Sequence, residues 1–259
     1  MKSSSGKHLA TVTVGLAILL LAWDASGLDL PMARWSGSAA GFPLQENWFL
    51  NHILHDGAKY LALVLALLLC VGVWFPIAGL KRLQFGQRLQ FAVTTLLAVT
   101  VISSLKIISN TSCPWSLSEF GGVAHYASHW ANLFQQDGGS GGCFPGGHAS
   151  AGFAFLGGYF VFRRISPASS RQWLIGALAA GLVLGLTQQL RGAHFMSHTL
   201  WTGWICWCTA WGVDSLSRWA RVVAVMPVSI EGGMDASATQ ESEAPGAPGF
   251  LEQKIKSPA

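Results

Sequence analysis

An all-α integral membrane protein of about six transmembrane helices is the fold class this sequence predicts, on three observations. Hydrophobic residues make up 51% of the 259 and charged ones only 11%, against roughly 25% charged in an ordinary soluble domain. Apolar runs recur at close to the length a bilayer requires, about 20 residues per helix. Between them, Lys and Arg gather in alternate loops, the pattern of a chain that keeps its positive charge on the cytoplasmic side.

The first run, 9–23, follows Lys2 and Lys7. Its shortness and the Asp24-Ala25-Ser26 segment behind it also fit a signal peptide with a weak cleavage site. A second run covers 58–80, and before it Trp35, Phe42, Trp48 and Phe49 lie among Asp29, Glu46 and Asp56, as in a segment anchored at the headgroup level. His52 and His55 near Asp56 lack a third ligand at a metal-binding spacing, so no metal is expected there. Further runs cover 89–108, 148–162, 173–189 and 198–213, the fourth and sixth being interrupted by glycines or tryptophans.

The cytoplasmic set is Lys2 and Lys7, then Lys81, Arg82 and Arg88, then Arg163, Arg164 and Arg171, then Arg218 and Arg221. Both termini are therefore expected inside, and the net charge of +4 reflects topology and does not argue for nucleic-acid binding. Residues 1–221 form one transmembrane domain on this reading. Residues 222–259, with Gly232, Gly233, Pro245, Pro248 and several acids, have too little apolar surface to order themselves and are expected to be a disordered cytoplasmic tail.

Chemistry is constrained by what the chain omits. Between Gly57 and Val213 the only carboxylates are Glu119 and Asp137, which disfavours aspartyl-phosphate, paired-carboxylate and two-metal hydrolysis. Histidine is abundant instead: His52, His55, His125, His129, His148, His194 and His198 all map to the outer loops or outer helix ends. His125 and His129 in HYASH stand at i and i+4 but lack the glutamate of a metalloprotease helix, so a surface role is expected for them. Cys70, Cys206 and Cys208 lie in apolar runs and read as small hydrophobes. Cys113 and Cys143 share the outer segment between the third and fourth runs, where an oxidising compartment would favour a disulfide over two free thiols.

Three clusters fall at outer helix ends: Lys106 with Cys113-Pro114-Trp115, CFPGGHAS over 143–150, and QQLRGAHFMSH over 188–198. In the second, Gly146 and Gly147 let backbone approach a ligand closely before a helix whose first N–H groups suit an anion. The three clusters resemble, in order, the motifs Lys-x6-Arg-Pro, Pro-Ser-Gly-His and Ser-Arg-x5-His-x3-Asp of the type-2 phosphatidic acid phosphatase (PAP2) family. Lys106 and Pro114 match the first motif, Pro145, Gly147 and His148 the second, and His194 the third. Cys113, Gly146, Gln188 and His198 replace arginine, serine, arginine and aspartate respectively, and the Arg-Gly-Ala-His-Phe-x-Ser-His form is similar to that of a bacterial membrane-bound subgroup.

The resemblance implies a PAP2-like helical bundle and a phosphatase needing no metal or other cofactor, acting through a phosphohistidine. His194 is the implied nucleophile, His148 the implied proton donor, and His198 the implied hydrogen-bond acceptor for His194 in place of aspartate. Lys106, Arg191, Gly146 and Gly147 are the implied phosphate-binding groups, with Arg191, three residues after Gln188, replacing the missing arginine. A Cys113–Cys143 disulfide would tether the first motif to the second. The implied substrate is a lipid phosphate or diphosphate, such as undecaprenyl diphosphate, phosphatidate, phosphatidylglycerol phosphate or a lipid A phosphate, met at the periplasmic face of a bacterial inner membrane. A lipid phosphotransferase with the same site, and an inactive lipid- or partner-binding protein, remain open alternatives.

Overall fold

The computed structural model describes residues 2–225; from residue 226 onward the expected tail lies outside the described residues. The described chain is helical, its only bridge pairings being the isolated Ser38 with Gly41 and Leu117 with Ala124. Helix α1 (Lys2–Ser26) leads into the short α2 (Asp29–Ala33), and a π-helical stretch (Phe49–Gly57) runs straight into α3 (Ala58–Val71). Next come α4 (Phe85–Ile107), α5 (Gly147–Phe153), α6 (Gly157–Phe162), α7 (Pro167–Leu190) and α8 (Met196–Val225).

Among the described residues four helices are long and apolar enough to cross a membrane: Gly6–Ser26, Phe49–Val71, Phe85–Ile107 and Pro167–Leu190. Read as spans, they make a multi-pass membrane protein. The expectation of six is met only in part. The 148–162 run is broken by a 3₁₀ turn (Ala154–Leu156) between α5 and α6. Helix α8 is long, but His198 and several threonines and tryptophans make it less apolar than those four. The second span also shifts, beginning nine residues earlier than expected, within the segment read as a loop, and ending at Val71. Leu80 instead belongs to a 3₁₀ turn, Ala78–Arg82.

Local sequence explains most helix ends. Pro167 opens α7 where an amide would lack a partner anyway, and the Ser166 hydroxyl accepts from the Ser169 N–H. At the start of α4, the Gln84 N–H donates to Gln87 Oε1 at 2.8 Å, a reciprocal cap.

The core lies between α4, α5, α6, α7 and α8, where Phe91, Phe153, Phe162, Ile102 and Leu156 are almost wholly buried. Small residues let these helices meet. A Cβ on Gly152 would overlap the Gly181 backbone, one on Gly181 the Phe153 ring, and one on Gly185 the Thr199 side chain. This is how helices associate where no hydrophobic effect draws them together. By contrast Leu61, Leu63, Leu67 and Val71 of α3 face outward, as side chains do when hydrocarbon is the solvent.

Helix α1 packs on α8 through Thr13: Trp204 Nε1 donates to its carbonyl at 3.0 Å and Trp207 Nε1 to its Oγ1 at 2.9 Å. At the end of the bundle away from the histidines, buried Asp214 takes Arg163 at 2.7 Å, Arg218 at 3.1 Å and Gln90 Nε2 at 3.2 Å. A buried carboxylate needs such pairing.

The segment between α4 and α5 has only 3₁₀ turns, yet it is ordered around one carboxylate. Asp137 accepts from Ser112 N at 2.7 Å, Ser112 Oγ at 2.6 Å, Asn132 Nδ2 at 3.1 Å and Gly139 N at 3.1 Å. Cys113 and Cys143 are joined by a disulfide in the same segment, their Cα atoms 5.2 Å apart.

Two expectations are corrected here. Phe42 is no headgroup anchor: it is buried, its ring 4.8 Å from Phe120 and against Gly192, whereas Trp35 and Trp48 are exposed. HYASH is not helical, and His129 is buried rather than on the surface, because Asp24 and Phe144 enclose it.

Candidate active site

Four helix ends and one turn meet at a single end of the bundle. Lys106 stands in the last turn of α4, His148 in the first turn of α5, Arg191 caps α7, and His194 and His198 lie in and just beyond the α7–α8 turn. The turn is fixed from several sides. Gly192 takes a left-handed conformation, with φ at +75°, and a side chain there would also strike Phe42. Its carbonyl accepts from Trp115 N at 2.9 Å, which ties the turn to the residues just after Pro114, and Ala193 N donates to Gln188 O at 2.8 Å.

His194 is 4% exposed and His198 1%. His148 Nε2, His194 Nδ1, His198 Nδ1 and Gln188 Nε2 are all buried with no hydrogen-bond partner. Buried polar atoms ordinarily find partners, so a group of them at one place marks a surface built for something else. Burial, reinforced by the Lys106 charge, pushes the His194 imidazole down to about 3, so it is neutral at ordinary pH and offers a free lone pair.

The cations converge on the same place. Lys106 Nζ lies beside Gly147, 3.6 Å from where a Cβ would stand, and Lys106, Arg191 and Lys59 are all within Coulombic reach of His148. Arg191 is only 8% exposed. Its Nε donates to the Gln45 carbonyl at 3.1 Å and its Nη1 to Gln188 Oε1 at 3.1 Å. Gln188, in the position of the motif's arginine, thus holds the guanidinium of Arg191 in its neighbourhood.

A family model for the PAP2 superfamily matches residues 87–221, more than half of the chain. The chain belongs to the PAP2 superfamily. Comparison with curated proteins and with solved structures gives no match. PAP2 membership carries phosphatase-type chemistry on phosphate esters, typically without a metal, and the matched region contains all three motif clusters.

The structure brings together Lys106, Gly146, Gly147, His148, Arg191, His194 and His198, with two departures from expectation. The Gly146 N–H donates to the His198 carbonyl at 3.2 Å, so of the two glycine amides only that of Gly147 is left for an anion. The expected hydrogen bond from His194 to His198 is not made: their rings lie 5.8 Å apart at 64°, and Nδ1 of each is unpartnered. Four residues of turn and helix carry the two rings past each other.

Sequence reading missed His55, whose ring stacks on His148 at 3.6 Å and 21°. His55 Nδ1 in turn lies 2.9 Å from Asp56 Oδ1. The π-helix brings it there. Because that helix winds with i→i+5 bonds, the 3.6-residue periodicity that would mark a helical face is absent from the sequence. Asp24, beside His129, was missed as well; it lies outside the matched region.

Proposed function

We propose that this PAP2 protein hydrolyses a lipid phosphate or diphosphate through a phosphohistidine on His194. The observation that carries the reading is the convergence of a neutral, buried His194 with a second histidine, His148, and two cations, Lys106 and Arg191, at one end of a membrane bundle.

In the first step a ring nitrogen of His194 attacks phosphorus, and the P–N bond forms as the P–O bond to the lipid breaks. His148, its imidazole held down to about 4 by burial and the neighbouring cations in the free protein, takes up a proton as the anionic substrate binds and delivers it to the departing oxygen. In the second step a water gives its proton to His148 and attacks phosphorus, the P–N bond breaks, and inorganic phosphate leaves. Lys106, Arg191 and the Gly147 N–H offset the charge on the non-bridging oxygens in both steps.

A lipid rather than a soluble ester is favoured by a groove of about 700 Å³ between α3, α5 and α7. Ala58, Leu61, Leu65, Ala151 and Phe155 line it. It begins beside Lys59 and one turn below His148, so an acyl or prenyl chain lying there would place its phosphate among the cations. The distribution of Lys and Arg supports an outward-facing position for this end of the bundle, and with it a substrate in the outer leaflet.

Phosphate release from phosphatidate, phosphatidylglycerol phosphate, a prenyl diphosphate and a lipid A phosphate, measured with purified full-length protein, tests the proposal. Release from at least one, abolished in His194→Ala, is the expected result. No release from any, or a His194→Ala variant as fast as the wild type, overturns it.

A further inference from the structure

Asp24 and His129 are buried side by side against the catalytic histidines, yet neither belongs to the three motifs. Their side chains are 8% and 4% exposed, with His129 Nε2 3.4 Å from Asp24 Oδ2. That oxygen also accepts from Trp130 Nε1 at 2.8 Å and Trp201 Nε1 at 2.9 Å, so the carboxylate is held in place. The His129 ring lies flat on Phe144, 4.2 Å away and within 6° of parallel. The His198 ring stands 6.0 Å away, nearly perpendicular to it at 83°, and His198 is the neighbour of His194. A small cavity lined by Asp24, Asp29, His129 and His198 lies between them. The groups form a row: carboxylate, imidazole, imidazole, nucleophile.

The row answers an electrostatic need. As His194 bonds to phosphorus its ring takes on positive charge, and the charged group first in reach is another cation, Lys106. A neutral His198 supplies no compensating charge where the family motif has aspartate. Glu119 is tied to Arg34 near the surface at 3.0 Å, and Asp137 to the loop it organises. Asp29 is bound to the N–H and hydroxyl of Ser197. Asp24 is the carboxylate that an imidazole connects to His198.

We propose that Asp24, acting through His129 and His198, is the charge-compensating and positioning carboxylate for His194, replacing at a distance the aspartate that the motif places at position 198. The proposal rests on His194 being the nucleophile. No proton moves along the row: the rings of His194, His198 and His129 stand 5.8 and 6.0 Å apart with His194 Nδ1, His198 Nδ1 and His129 Nε2 unpartnered, so the Asp24 charge acts on His194 through space, across imidazoles packed in line.

The experiment uses full-length protein in detergent with phosphatidate, or farnesyl diphosphate if only a diphosphate is turned over. Asp24→Asn should lower kcat roughly 10-fold, as for one unit charge acting over about 12 Å at an effective dielectric of about 20, and His129→Gln, which removes the ring that holds the carboxylate in line, should lower it severalfold, with KM little changed in both. The deciding variant is His198→Asp, which puts the carboxylate next to His194. In that background Asp24→Asn should cost less than about twofold, because independent routes to one charge are not additive. A purely structural Asp24 would cost the same in both backgrounds, and that result overturns the proposal, as does an Asp24→Asn single variant with wild-type kcat. If Asp24→Asn does not fold, judged by elution profile and melting temperature, His129→Gln with and without His198→Asp asks the same question. A wild type without activity, or a fully active His194→Ala, would sink the phosphohistidine reading itself. An inactive His194→Ala beside an unimpaired Asp24→Asn would sink only the relay.

Discussion

Lys106 and Arg191 reach the site from two different helices, and among the described residues neither forms an ion pair with a carboxylate. Replacing either with alanine should lower kcat/KM by on the order of 10² or more, the usual effect of removing a group that stabilises transition-state charge. Gln188→Ala should cost less, since it removes the acceptor that steadies Arg191 and leaves the guanidinium itself. A Gln188→Ala variant slower than Arg191→Ala would show that the amide, not the guanidinium, does the binding. His55→Ala should lower kcat roughly 10-fold, the loss expected when a stacked neighbour that orients a proton donor is removed. His194 adds a pH dependence of its own. Its folded value of about 3 lies below the ordinary 6.5, so the unfolded chain binds the extra proton first, and stability is lost as pH falls from 6.5 toward 3. The melting temperature of His194→Gln should therefore decline less steeply than that of the wild type between pH 6.5 and 4. The motif residues were legible in the sequence because Lys106, His148 and His194 keep fixed spacings to proline and glycine. His55, Asp24 and His129 were not, because their relation to the site exists only once separate helices pack.

Helices in this protein approach one another through glycine, and that gives the element scale its sharpest expectation. Gly152→Val would drive two methyl groups into the Gly181 backbone and should prevent α5 and α7 from closing. Loss of monodisperse protein on size exclusion, with no comparable loss for Gly176→Val, whose Cβ position is open, checks it. The disulfide joins residues 30 apart, and closing such a loop stabilises by about 3–4 kcal/mol in the chain-entropy estimate. Cys143→Ser should lower the melting temperature, and it should reduce activity too if holding Lys106 near the Gly146-Gly147 turn matters to catalysis. Hydropathy revealed α1, α4 and α7 with ends near those observed. It failed at the second span, where polar Asn51, His52, His55 and Asp56 made helix look like loop; the expected run 148–162 is helical from Gly147 to Phe162 but passes through a 3₁₀ turn at Ala154–Leu156, just before Gly157 and Gly158, which admit Thr94 and Trp173.

Seen whole, the molecule has two unlike ends. One collects histidines, Lys106 and Arg191; the other pairs Asp214 with Arg163 and Arg218. If the first end faces outward, a reporter fused after Arg221 should behave as cytoplasmic and one inserted at Gln135 as external, the insertion avoiding Asp137 because four hydrogen bonds depend on it. Opposite readings would move the site to the inner leaflet. The alternation of charge was plain from the sequence, whereas the contribution of α1 and α2 was not, since nothing local in 9–33 signals its partners. Those partners arrive late. Thr13 is held by Trp204 and Trp207, and Asp29 by Ser197, so during synthesis the first helix enters the bilayer well before anything exists to receive it. Assembly is thus completed by the last of the described helices to leave the ribosome: a nascent chain ending before α8 leaves Asp29 without Ser197 and α1 free to drift in lipid, and quality control would meet it as an orphan helix.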